Sequence, residues 1–423
     1  MLQILKKNKD VIILNLGHIL EWYDYSLYNM LISTFIVNFF HTDNVANGFL
    51  GAYFVFSIGF IFQPIFAPII GYLGDKYGRM ITLYLTISIT TVASIIMGLL
   101  PTYDYCGEKA VIFLLLARIL QSIGVVGENT GSFISIGERN HNEKFRGFKL
   151  SFMQIGTAIG FLLSAITVAI IKSAMSIEDF TNWGWRIPFL FGGFLSFLAL
   201  ILRLKLNPKD SAIFIESRKK AIKNPLAMAI KKHYVTLIMI FFLSFLGPVQ
   251  FYIINVFALQ TLIAPKNIVD TDYINIMNMS LFIIFIPLFA FISDYLKKQK
   301  LILILSSIII LCIQYPFLFL VEYSEKIWLL YTINGLWIAF LSFFYGVSLA
   351  IVMDLLPVNI RYSGLVFVSG IAAATITGNT PLIATKLYQL GGIDYIASYT
   401  SMGIIFSIIM SIYILFYKNK HEV

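Results

Sequence analysis

The hydrophobic positions of this chain fall into long unbroken runs instead of the alternation of half-buried strands or the stripes of surface helices. Runs of about 20 residues, enough to cross roughly 30 Å of hydrocarbon, recur from Val11 to Tyr417. Twelve can be placed, at residues 11–38, 47–72, 80–100, 111–137, 150–171 and 187–202, then 235–260, 273–293, 301–320, 328–353, 362–385 and 394–417. Barrel strands would alternate, and open strands would leave backbone unpaired in lipid. The pattern predicts an all-α polytopic membrane protein with 12 transmembrane helices.

Composition sharpens this. Of 423 residues, 58% are hydrophobic and 13% charged, about half the charged share of a soluble domain. A soluble enzyme, a secreted scaffold and a disordered regulator are excluded. Cys106 and Cys312 are too few and too far apart for a disulfide framework or a metal box. The net charge of +9 does not point to nucleic acid, because the basic residues sit in short loops between apolar runs. With the N-terminus in the cytoplasm, 24 Lys and Arg fall on that side. Six fall on the other: Lys109, Lys172, Arg186, Lys266, Lys326 and Lys386. Arg118 lies inside a run. Such a split predicts cytoplasmic N- and C-termini. Lys6, Lys7 and Lys9 precede an apolar run as in a signal peptide, but the run continues through Glu21, Trp22 and Asp24 without a small-residue cleavage site, so it reads as a retained first span.

The longest polar connection, residues 204–233, separates six runs from six. It reads as a plain cytoplasmic linker between an N-terminal six-helix bundle, residues 1–203, and a C-terminal one, residues 234–423. The halves echo one another. Asp75 and Asp294, Glu138 and Asp354, and Arg146 and Arg361 are separated by 219, 216 and 215 residues. Internal symmetry of this kind is expected of a carrier that works by rocking one bundle against the other.

Charges within the runs mark a candidate site, since ionisable groups at depth must face a bundle interior or a wet cavity. Glu21, Asp24, Tyr25 and Tyr28 recur at helical spacing, with Trp22 beside them. Two carboxylates sharing such a face repel, which favours a proton on one of them, the property of a proton-coupling group. Arg118 and Gln121 face one way in the fourth run. The guanidinium can clamp a carboxylate, either a substrate's or that of Glu21. Glu128 belongs either to the site or to a salt bridge with a basic group such as Arg146. Aromatic groups beside acids can hold a quaternary ammonium, and Gln250, Tyr252 and Asn255 can close the site from the second half. Gly124, Gly127, Gly131, Gly156 and Gly160 form small-residue seams. No zinc pair, nucleophile elbow or phosphate loop appears, so neither an enzyme nor a cofactor is expected.

The turn Gly71-Tyr-Leu-Gly74-Asp75-Lys76-Tyr-Gly78-Arg79 resembles the loop signature of the major facilitator superfamily. Glu21-Trp-Tyr-Asp24 with Tyr28, the Arg118–Glu128 segment, Glu138 with Arg146-Gly147, and Trp183-Gly-Trp-Arg-Ile-Pro188 resemble its metabolite–proton symporter branch. The resemblance implies gating and structural roles for the turn and for Glu138, Arg146, Asp294, Asp354 and Arg361. It also implies a monomeric carrier in a bacterial inner membrane, taking up a small polar metabolite with protons. A zwitterion such as proline or glycine betaine is the expected substrate; a carboxylate such as 2-oxoglutarate or citrate is the alternative, and proton-exchanging export a further one. Tyr295-Leu-Lys-Lys-Gln-Lys300 lacks the Gly-Arg part of the signature, and Val126 replaces a usual glycine. No long coiled-coil tail follows the last run, so osmotic regulation through one is not expected.

Overall fold

The computed structural model describes residues 9–40, 45–206, 208–218, 222–269 and 271–416. Lys6, Lys7, Lys219, Lys220, Lys418 and Lys420, on which part of the charge-based topology rests, lie outside the described residues. The described chain is helical nearly throughout. The helices used below are α1 (Lys9–Met30), α2 (Ile32–Phe39), α3 (Val45–Ile61), α4 (Gln63–Lys76), α5 (Arg79–Gly98), α6 (Lys109–Arg139), α7 (Arg146–Ala174) and α8 (Arg186–Leu206). After them come α9 (Ala212–Arg218), α10 (Pro225–Tyr252), α11 (Thr271–Leu296), α12 (Gln299–Tyr323), α13 (Ile327–Asp354), α14 (Val358–Ala372) and α15 (Thr380–Phe416).

Ten helical stretches among the described residues are long and apolar enough to cross a membrane. The first helix is not among them, because Asn15, His18, Glu21 and Asp24 lower its hydropathy. Residues 358–416 form one stretch by this measure. The expected boundary between the last two runs coincides with Gly391 and Gly392, where helical geometry fails and Gly392 has φ +65°. The first run is likewise interrupted, at Leu31. Large apolar side chains such as Ile65, Ile81, Leu99 and Ile170 project outward over half exposed, as a lipid-facing surface requires.

Packing defines two sets of helices. In the first, α1 lies on α7, and α5 packs between α6 and α8. In the second, α11 and α12 pack on α13, and α10 and α12 on α15. The sets meet along α4 with α14 and along α7 with α11. Gly160 of α7 shows why α1 approaches so closely: a Cβ there would lie 2.6 Å from the Ile19 carbonyl and 2.8 Å from the Tyr23 nitrogen. Backbone cannot give way as a flexible side chain can. Gly160→Leu is therefore expected to destabilise the protein by about 1–3 kcal/mol or more, read as earlier thermal unfolding in detergent; an unchanged melting curve would mean the α1–α7 contact is not as tight as described.

The 204–233 connection differs from a plain linker. The eighth helix extends into it, α10 begins within it at Pro225 behind an Asn224 cap, and α9 docks on the protein. Phe214 of α9 is buried and covers the Arg79 guanidinium at 4.2 Å. Asp210 accepts from the Met80 nitrogen at 3.1 Å, and Ser211 donates to Glu138 at 3.0 Å.

Candidate functional site

A cavity of about 260 Å³ lies between the two sets. Its wall includes His18, Trp22 and Gln63 from the first set and Phe251, Tyr252 and Tyr345 from the second. The wall has no Asp, Glu, Lys or Arg among the described residues. The charges expected at the site lie behind it, inside the first set.

Asp24 is buried and accepts from Ser94 and, at 2.5 Å, from the Gln121 amide nitrogen. The Gln121 oxygen accepts from Arg118 Nη1 at 2.8 Å. Arg118 thus reaches Asp24 through Gln121, whereas the expected clamp on Glu21 is not formed. The rings of Tyr25 and Tyr28 lie 4.3 and 4.6 Å from the guanidinium carbon. Nε of Arg118 and the Tyr252 hydroxyl have no hydrogen-bond partner, while the Tyr25 hydroxyl and Arg118 stand within reach of one another and have no other partner beyond Gln121. Glu21 is also buried, and both its oxygens are unpartnered.

Glu128 pairs with a residue other than the one considered from sequence. Arg203 of α8 holds it with two contacts, Nη2–Oε1 at 2.6 Å and Nη1–Oε2 at 2.9 Å. Thr86 and Ser132 donate to the same carboxylate at 3.3 and 3.2 Å. The Arg146 guanidinium instead meets Asp354 at 2.7 Å. Arg203 was not singled out by the sequence; standing at the edge of an apolar run, it reads as one more basic loop residue. Its signal was the apolar Leu200-Ile-Leu202 immediately before it.

Of the second-half candidates, Tyr252 alone lines the cavity. The Gln250 amide donates to Gln314 at 3.1 Å and accepts from Trp337 at 3.1 Å. Asn255 accepts from Asn278 at 3.0 Å and lines a smaller cleft with Asn29 and Asn275. Both are spent within the second set.

The turn residues gather with their symmetric counterparts at one end of the helices. Gly71 and Gly74 face Ser363 and Tyr362 of α14. Asp75 takes Arg79 at 2.5 Å and the Ser363 nitrogen and hydroxyl at 2.9 and 2.6 Å. Arg79 and Arg361 both approach Glu138, at 3.3 and 3.7 Å. On the symmetric side, Asp294 accepts from the Phe148 nitrogen at 2.9 Å. Gly78 has φ +128°, which a side chain would strain, and Asp210 fills the space beside it. Lys76 stays apart from the cluster, donating to the Tyr72 hydroxyl at 2.5 Å.

A family model described as Major Facilitator Superfamily matches residues 14–359. The inner membrane metabolite transport protein YhjE of Escherichia coli (strain K12) is 27% identical over 414 residues, covering 94% of this chain and 93% of its own. A putative proline/betaine transporter of Staphylococcus aureus (strain MSSA476) is 29% identical over 398 residues, covering 92% of this chain and 83% of its own. The shikimate transporter of E. coli (strain K12) is 29% identical over 403 residues, with 92% and 90% covered. Among solved structures, the xylose transporter XylE from E. coli, in a partially occluded inward open conformation, superposes with a TM-score of 0.71. It covers 98% of each chain at 16% identity, so the likeness concerns the fold.

Proposed function

The chain belongs to the major facilitator superfamily of membrane transporters, and on that premise we propose that it takes up a small zwitterionic solute, such as proline or glycine betaine, together with protons. The observation that carries the solute assignment is the aromatic cavity wall. The rings of Trp22, Phe251, Tyr252 and Tyr345 can attract an ammonium group. Arg118, with donors not taken up by Gln121 and the Tyr25 hydroxyl beside it, is suited to the carboxylate end once the cavity closes around the solute. The proline/betaine relative supports the same class.

Alternating access follows from two six-helix bundles, twelve crossings in all, with α1 as the first and residues 358–416 counted as two. The end gathering Asp75, Glu138 and Asp294 is cytoplasmic in this reading, as are both termini, and the membrane is a bacterial inner membrane. One copy holds a complete cavity, so the monomer suffices. Glu21, buried without a partner, is the favoured coupling group.

The absence of acids from the wall favours a second reading. A further substrate carboxylate would meet no like charge there, which suits 2-oxoglutarate, citrate or a solute like that of the shikimate relative. Purified protein in vesicles decides between them. Imposing an acidic exterior should drive saturable accumulation of proline or glycine betaine. Preference for 2-oxoglutarate or citrate would replace the zwitterion, and uptake driven only by an acidic interior would turn the carrier into an exchanger.

A further inference from the structure

We propose that His18 is a switchable cation of the cavity wall, which takes up a proton when a solute carboxylate binds and releases it when the carboxylate leaves. This deepens the carrier reading and rests on it. Apart from phenols, His18 is the ionisable side chain on a wall otherwise without charge among the described residues. Its ring is held in place: Nε2 lies 2.9 Å from the Thr157 hydroxyl, itself on the wall, and the ring meets the edge of Trp22 at 6.2 Å. The Met153 backbone also stands against the ring, and Nδ1 has no other partner.

The surroundings decide what such an imidazole can do. On its own helix, Glu21 is three residues on and Tyr25 is a further turn away. From α6 and α8 come Glu128 and Arg203, already satisfied by one another. The seventh helix carries Arg146, Lys149 and Lys172 near its two ends, well away from Thr157, and α5 offers Arg79 at its start and Tyr84. Across the cavity stand Tyr252 and Tyr345. None of these is an anion placed on the wall, and a positive charge on a wall of this kind needs an anion beside it. A bound carboxylate supplies that anion. Proton and carboxylate then favour one another's binding reciprocally, and the proton offsets the charge of the carboxylate it accompanies. The proton adds to a ring nitrogen from cavity water and returns to water on release, with no other bond made or broken.

The test uses full-length protein in detergent, weakly buffered near neutral pH with an indicator dye, and proline, glycine betaine, 2-oxoglutarate and shikimate as probes. Binding is followed by tryptophan emission, to which Trp22 contributes beside His18. Wild type should take up about one proton per carboxylate bound. His18→Gln, which keeps a polar group toward Thr157, should bind at least about tenfold more weakly and take up none. Binding by wild type without proton uptake, or unchanged uptake in His18→Gln, would overturn the inference and leave the carrier reading standing. Should His18→Gln not fold, the proton count of Glu21→Gln, which lacks the other coupling candidate, decides instead: about one proton per carboxylate bound supports the inference and none overturns it. Transport confined to a solute without a carboxylate, such as xylose, would also overturn it. Failure of the carrier reading looks different: no saturable flux of any solute into vesicles.

Discussion

Replacing Arg203 by methionine is expected to cost the folded protein about 3–5 kcal/mol, the loss typical of breaking a buried ion pair from one side. Arg203 and Glu128 are each about 1% exposed. The guanidinium enters from α8 and also reaches the carbonyls of Leu83 on α5 and Leu14 on α1, at 3.2 and 3.4 Å. Four helices are therefore tied at one point. Without Arg203, the Glu128 carboxylate keeps only the hydroxyls of Thr86 and Ser132 in a region away from water. Replacing both partners by methionine removes the stranded charge and should recover most of the loss. Thermal unfolding of wild type and the two variants in detergent measures this. If Arg203→Met melts like wild type, the pair does not hold the bundle together.

The second large effect concerns Glu21 and Asp24, which the structure makes unequal. Glu21→Gln removes a titratable charge without breaking a hydrogen bond, because neither carboxylate oxygen has a partner. It should keep solute exchange between equally loaded compartments and lose accumulation against a gradient by more than about tenfold. Asp24→Asn breaks into the chain from Ser94 through Gln121 to Arg118. Two donors would then face an amide that offers one acceptor, so exchange and accumulation should fall together. Counterflow and gradient-driven uptake, measured on the same vesicles, separate these outcomes. Equal loss of both activities in Glu21→Gln would remove Glu21 from coupling.

The helices were legible in the sequence because run length is a direct consequence of bilayer thickness. What interrupts a run was less so: Leu31 is an ordinary apolar residue, and its break depends on how α2 packs. Arg118 and Gln121 were readable as a pair, since helical spacing places them on one face, but their link to Asp24 was not, the carboxylate expected for Arg118 being a substrate's or that of Glu21. Which carboxylate the pair meets depends on the rotation of α1 against α6, which spacing within one helix does not record. Arg203 was hidden for a different reason. Its partner comes from another helix about 75 positions earlier, and no local pattern records lateral packing. Gln250 and Asn255 illustrate the opposite: a polar residue within a membrane helix can bond to its own neighbours, as Gln250 does to Gln314 and Asn255 to Asn278, which the sequence does not record.

Two helix starts are finished by acids from elsewhere in the chain. Near the N-terminus of a helix the amide hydrogens have no acceptor within it. Met80, second in α5, uses Asp210 of the inter-bundle connection. Phe148, third in α7, uses Asp294 of α11 in the opposite bundle. Protection of an amide from deuterium depends on how often its partner leaves. Deuterium uptake at Phe148 should therefore record how long the bundles spend apart at that end, and uptake at Met80 how long the connection is undocked. A transported solute that lengthens one of these times and leaves the other unchanged would separate, amide by amide, the rocking of the bundles from the loosening of the segment that joins them.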